Sequence, residues 1–458
     1  MADFDLTVIG SGPGGYVAAI HAARLGARVA ILEQKDSEWG GTCLNWGCIP
    51  AKALVQSAEV LQAVRRAGEF GVRVGEPEVD WPAMQARKDS VVKNLRQGVQ
   101  GLLKANGVEM ITARGRLLGG NRVSADGRQL DSSNLLLAPG SVVSLPPFPG
   151  ADLGLTSDTI LGLEQVPESL VVIGGGVVGM EFAGVFSLLG TQVTVVEMLD
   201  HLLAPLDPDV ARRFQQLMAK RGVRFHLGAR VEAVERSGAG FSVRSSAGEL
   251  LGEQVLVATG RRPNTADLGL EEASVATERA AITVDRHLRT NQDGVYAIGD
   301  ATGISMLAHT ASYQGEVAVT NALSEKRISA DYSTIPACVY TDPEIAYVGM
   351  SEARARADGM EIRVGQFPFS ALGRAQVLGE VQGLVKVVAG SDGYLLGVTI
   401  MGPRATDLIA EAVLAVNQGL SAAELSHAVH AHPTLPEALA EAALDVAGRA
   451  VHIPPRRR

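Results

Sequence analysis

Two stretches of this chain repeat one construction. FDLTVI at 4–9 runs into GSGPGG and the Ala-rich YVAAIHAARLG, and ARVAILE then closes on Glu33; LVVI at 170–173 runs into GGGVVG and MEFAGVFSLLG, and TQVTVVE closes on Glu197. A short apolar run, a glycine turn, a helical pattern and a second apolar run make a βαβ unit, which demands a parallel sheet covered on both faces. Gly10, Gly12 and Gly15 in the first unit, and Gly174, Gly176 and Gly179 in the second, fall where such a unit makes its tight turn, lets the backbone approach a pyrophosphate and packs helix on strand. The helix N-terminus offers phosphates free N–H groups and the positive end of its dipole. Glu33 and Glu197 stand where a carboxylate accepts from a ribose diol. Two dinucleotide sites are therefore expected. Because Glu197 is followed by MLDHLL, without a cation for a 2′-phosphate, the second is expected to take NAD rather than NADP.

The 458 residues leave room for about three domains. Residues 53–104 carry helical patterns interrupted around Gly75 to Pro82, and short β patterns follow at 108–137. The Pro-rich SLPPFPG at 144–150 marks a boundary, residues 223–258 alternate as strands and end in LVATGRRPN, and VYAIGD at 295–300 is a buried strand closed by an acid. Beyond a break near residue 335, VYTDPEIAYVG, GLVKVVA and YLLGVTI give strands, and TDLIAEAVLAVNQGL and PEALAEAALDVAGR give amphipathic helices, an α+β unit. A net charge of −9 argues against a nucleic-acid surface, and the only basic cluster, Arg456 to Arg458, is expected to be a solubilising end. No apolar run approaches the length of about 18 residues that spans a bilayer, and MADFDL lacks a basic n-region, so a cytoplasmic protein is expected.

Three readings compete for Cys43 and Cys48 in GGTCLNWGCIPAKAL. A zinc site lacks a second ligand pair, since Cys338 is alone and His430 and His432 are too closely spaced, so no metal is expected. Two inert core thiols remain possible, as does a redox-active dithiol, which the geometry favours and constrains. A disulfide wants Cα atoms about 4.4 to 6.8 Å apart, whereas five helical steps rise about 7.5 Å. Asn45, Trp46 and Gly47 must therefore bend the chain, with a helix starting near Pro50 and Cys48 beside its N-terminus, where the thiolate is favoured.

GSGPGG, GGTCLNWGCIPAK, GGGVVGME, ATGRRPN, TNQDGVYAIGD, MLAH, VYTDPEIAYVG and HAHPTLPEAL stand in the order and at the spacing of the flavoprotein disulfide reductases, and over almost its whole length the sequence resembles that family. Within it the chain is similar to the dihydrolipoamide dehydrogenases. Glutathione reductases usually have Tyr where Val177 stands and a CVNVGC redox motif, mercuric reductases usually add a C-terminal cysteine pair, and the soluble transhydrogenases lack the redox pair. The resemblance implies an α/β, glutathione reductase-like fold of two Rossmann-like domains and a C-terminal α+β dimerisation domain. FAD binding would occupy 1–147, completed by 278–335, NAD binding 148–277, and the interface 336–458.

It also implies FAD on Gly10, Gly12, Gly15, Glu33, Lys52, Asp300, Leu307 and Ala308, and NAD on Gly174, Gly176, Gly179, Glu197 and Gly260. By the same resemblance Cys43 exchanges with substrate sulfur and Cys48 contacts the flavin. Lys52 pairs with Glu181, His432 is the base oriented by Glu437, and His432 reaches the active site of the other subunit of a homodimer. The implied activity is oxidation of dihydrolipoamide borne by a carrier protein of a 2-oxo acid dehydrogenase or glycine-cleavage complex, with NAD+ as acceptor. A related disulfide reductase, or a silent flavoprotein that only docks in an assembly, is the alternative. Trp46, Ala51 and Pro139 depart from the family pattern, which usually has Val, Ser and Thr there.

Overall fold

A computed structural model describes residues 2–455; the Arg456 to Arg458 tail lies outside them. The N-terminal sheet runs in the order Glu109–Thr112, Val29–Glu33, Phe4–Ile9, Arg128–Leu137, with Val295–Ala297 on the far side of Arg128–Leu137, and these pairings are parallel. Arg128–Leu137 is long enough that its first half pairs antiparallel with Arg122–Ala125, which in turn pairs with Gly115–Gly119. Both faces of the parallel core are covered. Leu6, Val8, Ile31 and Leu136 meet Ala18, Ala22 and Val317 on one side, while Ala30, Leu32, Leu135 and Leu137 meet Leu117, Val123 and Leu268 on the other. This two-residue alternation between two apolar layers is why the strands read as unbroken hydrophobic runs.

The second unit repeats the pattern. Arg224–His226, Gln192–Val196, Ser169–Ile173 and Gln254–Val257 lie side by side in parallel, with the antiparallel meander Val231–Ser237, Gly240–Ser245, Gly248–Gly252 beside them. The strand expected to close on Glu197 stops at Val196 and leaves the carboxylate on the following loop. The third unit is a five-stranded antiparallel sheet in the order Ala337–Val339, Glu344–Gly349, Leu395–Gly402, Leu384–Gly390, Ile362–Pro368, covered by helices Ala405–Asn417 and Glu437–Asp445. Among the described residues no helix is long and apolar enough to cross a membrane.

One elongated core ties the units together. Ala51, Leu54 and Leu61 of the helix Cys48–Arg65, Met180 and Phe186 of the helix Val177–Leu189, and Val339, Ile345 and Met401 of the C-terminal sheet share a hydrophobic cluster. A helix at Ala308–Leu323, not anticipated from the sequence, packs on the helix Pro13–Arg24. Small residues permit the approach: a Cβ at Gly14 would sit 2.9 Å from the Ala311 carbonyl oxygen, and one at Gly315 would sit 2.9 Å from that of Gly14.

Polar chemistry also bridges the units. Lys386, 1% exposed on Leu384–Gly390, sets its Nζ 2.7 Å from Glu352, 3.0 Å from Asp209 and 3.1 Å from Asp207. Asp207, itself buried, also accepts from the backbone N–H groups of Glu352 and Ala353 and so holds the start of the helix Glu352–Ala357. Removing a buried charge from such a cluster leaves the rest uncompensated. Lys386→Met is expected to lose about 3 to 5 kcal/mol of stability, read as an earlier urea midpoint of the holoenzyme. An unmoved midpoint would mean the carboxylates need no cation here.

Candidate active site

The two glycine turns are built alike. Gly10 and Gly174 have positive φ, at 100° and 114°. A Cβ at Gly15 would fall 1.9 Å from the Gly10 carbonyl oxygen, and one at Gly179 would fall 2.0 Å from that of Gly174, so neither position admits a side chain without moving the backbone. Gly12 and Gly176, by contrast, face open space, with no atom within 4 Å of an added Cβ. Each precedes a helix whose first N–H groups have no side-chain cap. An open backbone approach beside uncapped N–H groups is what a pyrophosphate requires, so both cradles fit a dinucleotide.

The acids fit as well. Glu33 accepts from the Ser11 backbone N–H (3.1 Å) and hydroxyl (2.5 Å), and burial raises its pKa against those bonds. Glu197 accepts from the backbone N–H groups of Gly175 (2.6 Å) and Leu199 (2.7 Å). Glu197, Gly174, Gly176 and Gly260 line a cavity of about 610 Å³, within the range of small-molecule and cofactor sites. Gly179 packs beneath its floor through the close approach to Gly174. His201, from the MLDHLL run after Glu197, also lies on the wall, as do Arg230 and Arg261, cations that the sequence around Glu197 did not reveal.

Asp300 lies in the single turn Gly299–Thr302, just beyond Val295–Ala297. Burial raises its pKa, opposed by the Ser141 hydroxyl, which donates to it at 2.5 Å, and by Arg261. Arg261 in turn donates to Ser141 and Asp158. Leu307 and Ala308 form the uncapped start of the Ala308–Leu323 helix.

The cysteines occupy the expected bend. Cys43 sits in the short helix Gly41–Asn45, Trp46 and Gly47 leave helical geometry, and Cys48 opens the helix Cys48–Arg65, two residues before Pro50. Gly47 permits the approach: a Cβ there would meet the Thr42 carbonyl oxygen at 2.9 Å and the Cys43 Cα at 3.1 Å. Both cysteines are free thiols in this structure. The hydrogen bond from Cys43 lowers the Cys48 pKa to about 7, burial opposes this, and the Lys52 charge assists. The Cys43 thiol is pushed up, by that same hydrogen bond and by burial. The pair is thus polarised, with the thiolate on Cys48. Burial raises the third cysteine, Cys338, to about 11.

Lys52, four residues past Cys48 on the same helix, meets Glu181 of the second unit at 2.7 Å. His432 and Glu437 are also joined, Nδ1 to Oε1 at 2.9 Å, which leaves the ring Nε2 free. Burial pushes the Glu437 pKa up, but the Thr434 N–H and the His432 ring outweigh it and hold the carboxyl below its ordinary value. His430 is held by Glu411 at 2.8 Å. Among the described residues no hydrogen bond or ion pair joins His432 and Glu437 to Cys43, Cys48, Lys52 or Glu181, and the His432 side chain is 79% exposed. No group of residues suited to a metal ion occurs among the described residues.

Sequence reasoning missed Ser11, Ser141, Arg261 and Tyr340, which hold the acids in place. Ser11, Arg261 and Tyr340 lie inside GSGPGG, ATGRRPN and VYTDPEIAYVG, and Ser141 follows Gly140, which signals position but not partner.

The family described as "Pyridine nucleotide-disulphide oxidoreductase" matches residues 4–315, and its dimerisation domain matches 335–443. The chain is 40% identical over 466 residues to a dihydrolipoyl dehydrogenase of Chlamydia muridarum, with 99% of each chain covered. It is 41% identical over 463 residues to a dihydrolipoyl dehydrogenase of Thermus scotoductus, again with 99% of each covered. Among solved structures it resembles LpdA of Mycobacterium tuberculosis, at 32% identity and a TM-score of 0.89, covering 96% of this chain and 98% of that one. It also resembles the HOCl-induced flavoprotein disulfide reductase RclA of Escherichia coli, at 28% identity and a TM-score of 0.88, covering 96% and 99%.

Proposed function

The chain belongs to the pyridine nucleotide-disulphide oxidoreductases, and we propose that within this family it oxidises dihydrolipoamide with NAD+ as the acceptor. The observation that carries this reading is the polarised Cys43 and Cys48 pair, set at a helix N-terminus against the Lys52 and Glu181 ion pair, in a chain with two dinucleotide cradles. The first cradle, with Glu33, Lys52, Asp300, Leu307 and Ala308, holds FAD; the second, with Glu197 and Gly260, holds NAD.

Turnover begins with Cys43 and Cys48 joined as a disulfide. The free Nε2 of His432, its ring fixed by Glu437, takes a proton from one substrate thiol. The resulting thiolate attacks the Cys43 sulfur, the bond between the cysteines breaks, and Cys48 leaves as a thiolate favoured by the Lys52 charge and the helix N-terminus. The second substrate thiol then attacks the substrate sulfur of the mixed disulfide. Lipoamide departs and Cys43 keeps the electron pair and a proton. FAD, when bound, supplies the chemistry that passes the two electrons from this dithiol to NAD+.

His432 precedes the helix Glu437–Asp445, which packs on Ile362–Pro368 and Leu384–Gly390 rather than on the cysteine helices. In the dimer it serves the active site of the other subunit. Residues 1–147 with 278–335, 148–277 and 336–458 act as the FAD, NAD and interface domains of a cytoplasmic enzyme, and a lipoyl-bearing carrier protein delivers the substrate.

A steady-state assay comparing dihydrolipoamide with glutathione, and NAD+ with NADP+, tests the reading. Dihydrolipoamide with NAD+ is expected to win. NADP+ should lose by at least about tenfold, because its 2′-phosphate sets a charge of about −1.5 to −2 against Glu197. Faster turnover with glutathione or with NADP+ would overturn the assignment.

A further inference from the structure

Tyr340 touches both members of the ion pair beside the redox cysteines. Its backbone N–H donates to Glu181 Oε1 at 3.0 Å, while Glu181 Oε2 holds the Lys52 ammonium at 2.7 Å. Its ring lies against that same ammonium, 4.6 Å from Nζ to the ring centroid. Glu181 comes from the helix Val177–Leu189, Lys52 from Cys48–Arg65, and Tyr340 from the end of the strand Ala337–Val339, so one residue of the C-terminal unit closes a contact between the other two. The next residue is fixed too: the buried Thr341 hydroxyl donates to the Pro343 carbonyl at 2.8 Å.

We propose that Tyr340 is a positioning residue: its ring confines the Lys52 ammonium, and its backbone the Glu181 carboxylate, so that the Lys52 charge bears on the Cys48 sulfur. The inference rests on the roles given above to Lys52 and Cys48. The physical case is one of confinement. A lysine ammonium ends a flexible four-carbon stem, and an ion pair alone leaves it several rotamers. An aromatic face below it adds a second attraction and excludes water that would screen its charge. The ionisable groups facing Cys48 are Cys43, Lys52 and Glu181, with Lys52 favouring the thiolate and Glu181 opposing it. Around the Tyr340 ring stand Cys338, Glu344, Glu181 and Asp407, and burial raises the phenol to about 12, so the ring stays neutral across the working range. Without the ring, Lys52 drifts and is hydrated, the balance tips toward Glu181, and the Cys48 thiolate is less favoured.

The test is the pH dependence of Cys48 alkylation by iodoacetamide in reduced holoenzyme, resolved by site with mass spectrometry, since the rate follows the thiolate fraction. Tyr340→Leu is expected to raise the midpoint by about 0.5 to 1 pH unit and Tyr340→Phe, which keeps ring and backbone, to restore it to within about 0.2 unit. Tyr340→Met repeats the loss of the ring if the leucine variant fails to fold. Lys52→Met separates the two claims. If it shifts the midpoint and the ring-free Tyr340 variants do not, or if Tyr340→Phe shifts it as far as they do, the Tyr340 proposal alone is overturned. If Lys52→Met leaves the midpoint unmoved, the role given to Lys52 falls, and the proposal falls with it.

Discussion

Cys48→Ser is expected to abolish dihydrolipoamide turnover, lowering kcat at least about 10³-fold, while the protein stays folded and coloured by FAD. A serine hydroxyl cannot form the disulfide that receives the substrate's electrons, and no other thiol stands ready, because Cys338 is held near pKa 11 by burial. Cys43→Ser should be equally inactive but different in spectrum. It leaves Cys48 with its Lys52 neighbour and a serine hydroxyl that donates in place of the Cys43 thiol, so the thiolate persists without added reductant and gives long-wavelength absorbance with a midpoint near pH 7. Cys48→Ser should show no such band at any pH. Two inactive variants with the same spectrum would contradict the division of labour between the two sulfurs.

His432→Ala is expected to lower kcat by about 10² to 10⁴-fold, the usual loss on removing a general base. The stronger test exploits the position of that residue. Its side chain is largely exposed and lies on the C-terminal unit, away from the helices bearing the cysteines. Mixing and reassembling the inactive His432→Ala and Cys48→Ser homodimers should restore about a quarter of wild-type activity. Half the dimers are then mixed, and each has one site with both cysteines and a histidine from its partner. If His432 served its own chain, mixing would restore nothing.

What the sequence disclosed and what it hid divide along a physical line. The glycine turns and the bend between Cys43 and Cys48 are local, and their chemistry dictates residue types within a few positions, whereas the pairing of His432 with Glu437, though only five positions apart, came from the family resemblance. The parallel strands were legible because both faces are buried, which leaves continuous apolar runs. The helix Ala308–Leu323 was not, since it presents Gly315, Thr310 and Gln314 to buried surroundings and so lacks a clean apolar stripe. The strand Ile362–Pro368, IRVGQFP, mixes a charge, a glycine and a terminal proline and hides in the same way. The contacts of Ser141 with Asp300 and of Tyr340 with Glu181 each join residues 159 positions apart, and no periodicity announces such a meeting. The pairing of Lys52 with Glu181 spans 129 positions and came from family resemblance, not from spacing.

The most direct test is a count of free thiols. Purified in air, denatured and alkylated, the chain should yield one modified cysteine of its three, Cys338; after anaerobic addition of NADH to the folded holoenzyme it should yield all three, the new ones at Cys43 and Cys48. A count that NADH leaves unchanged would contradict a reversible disulfide that exchanges electrons with the pyridine nucleotide through FAD.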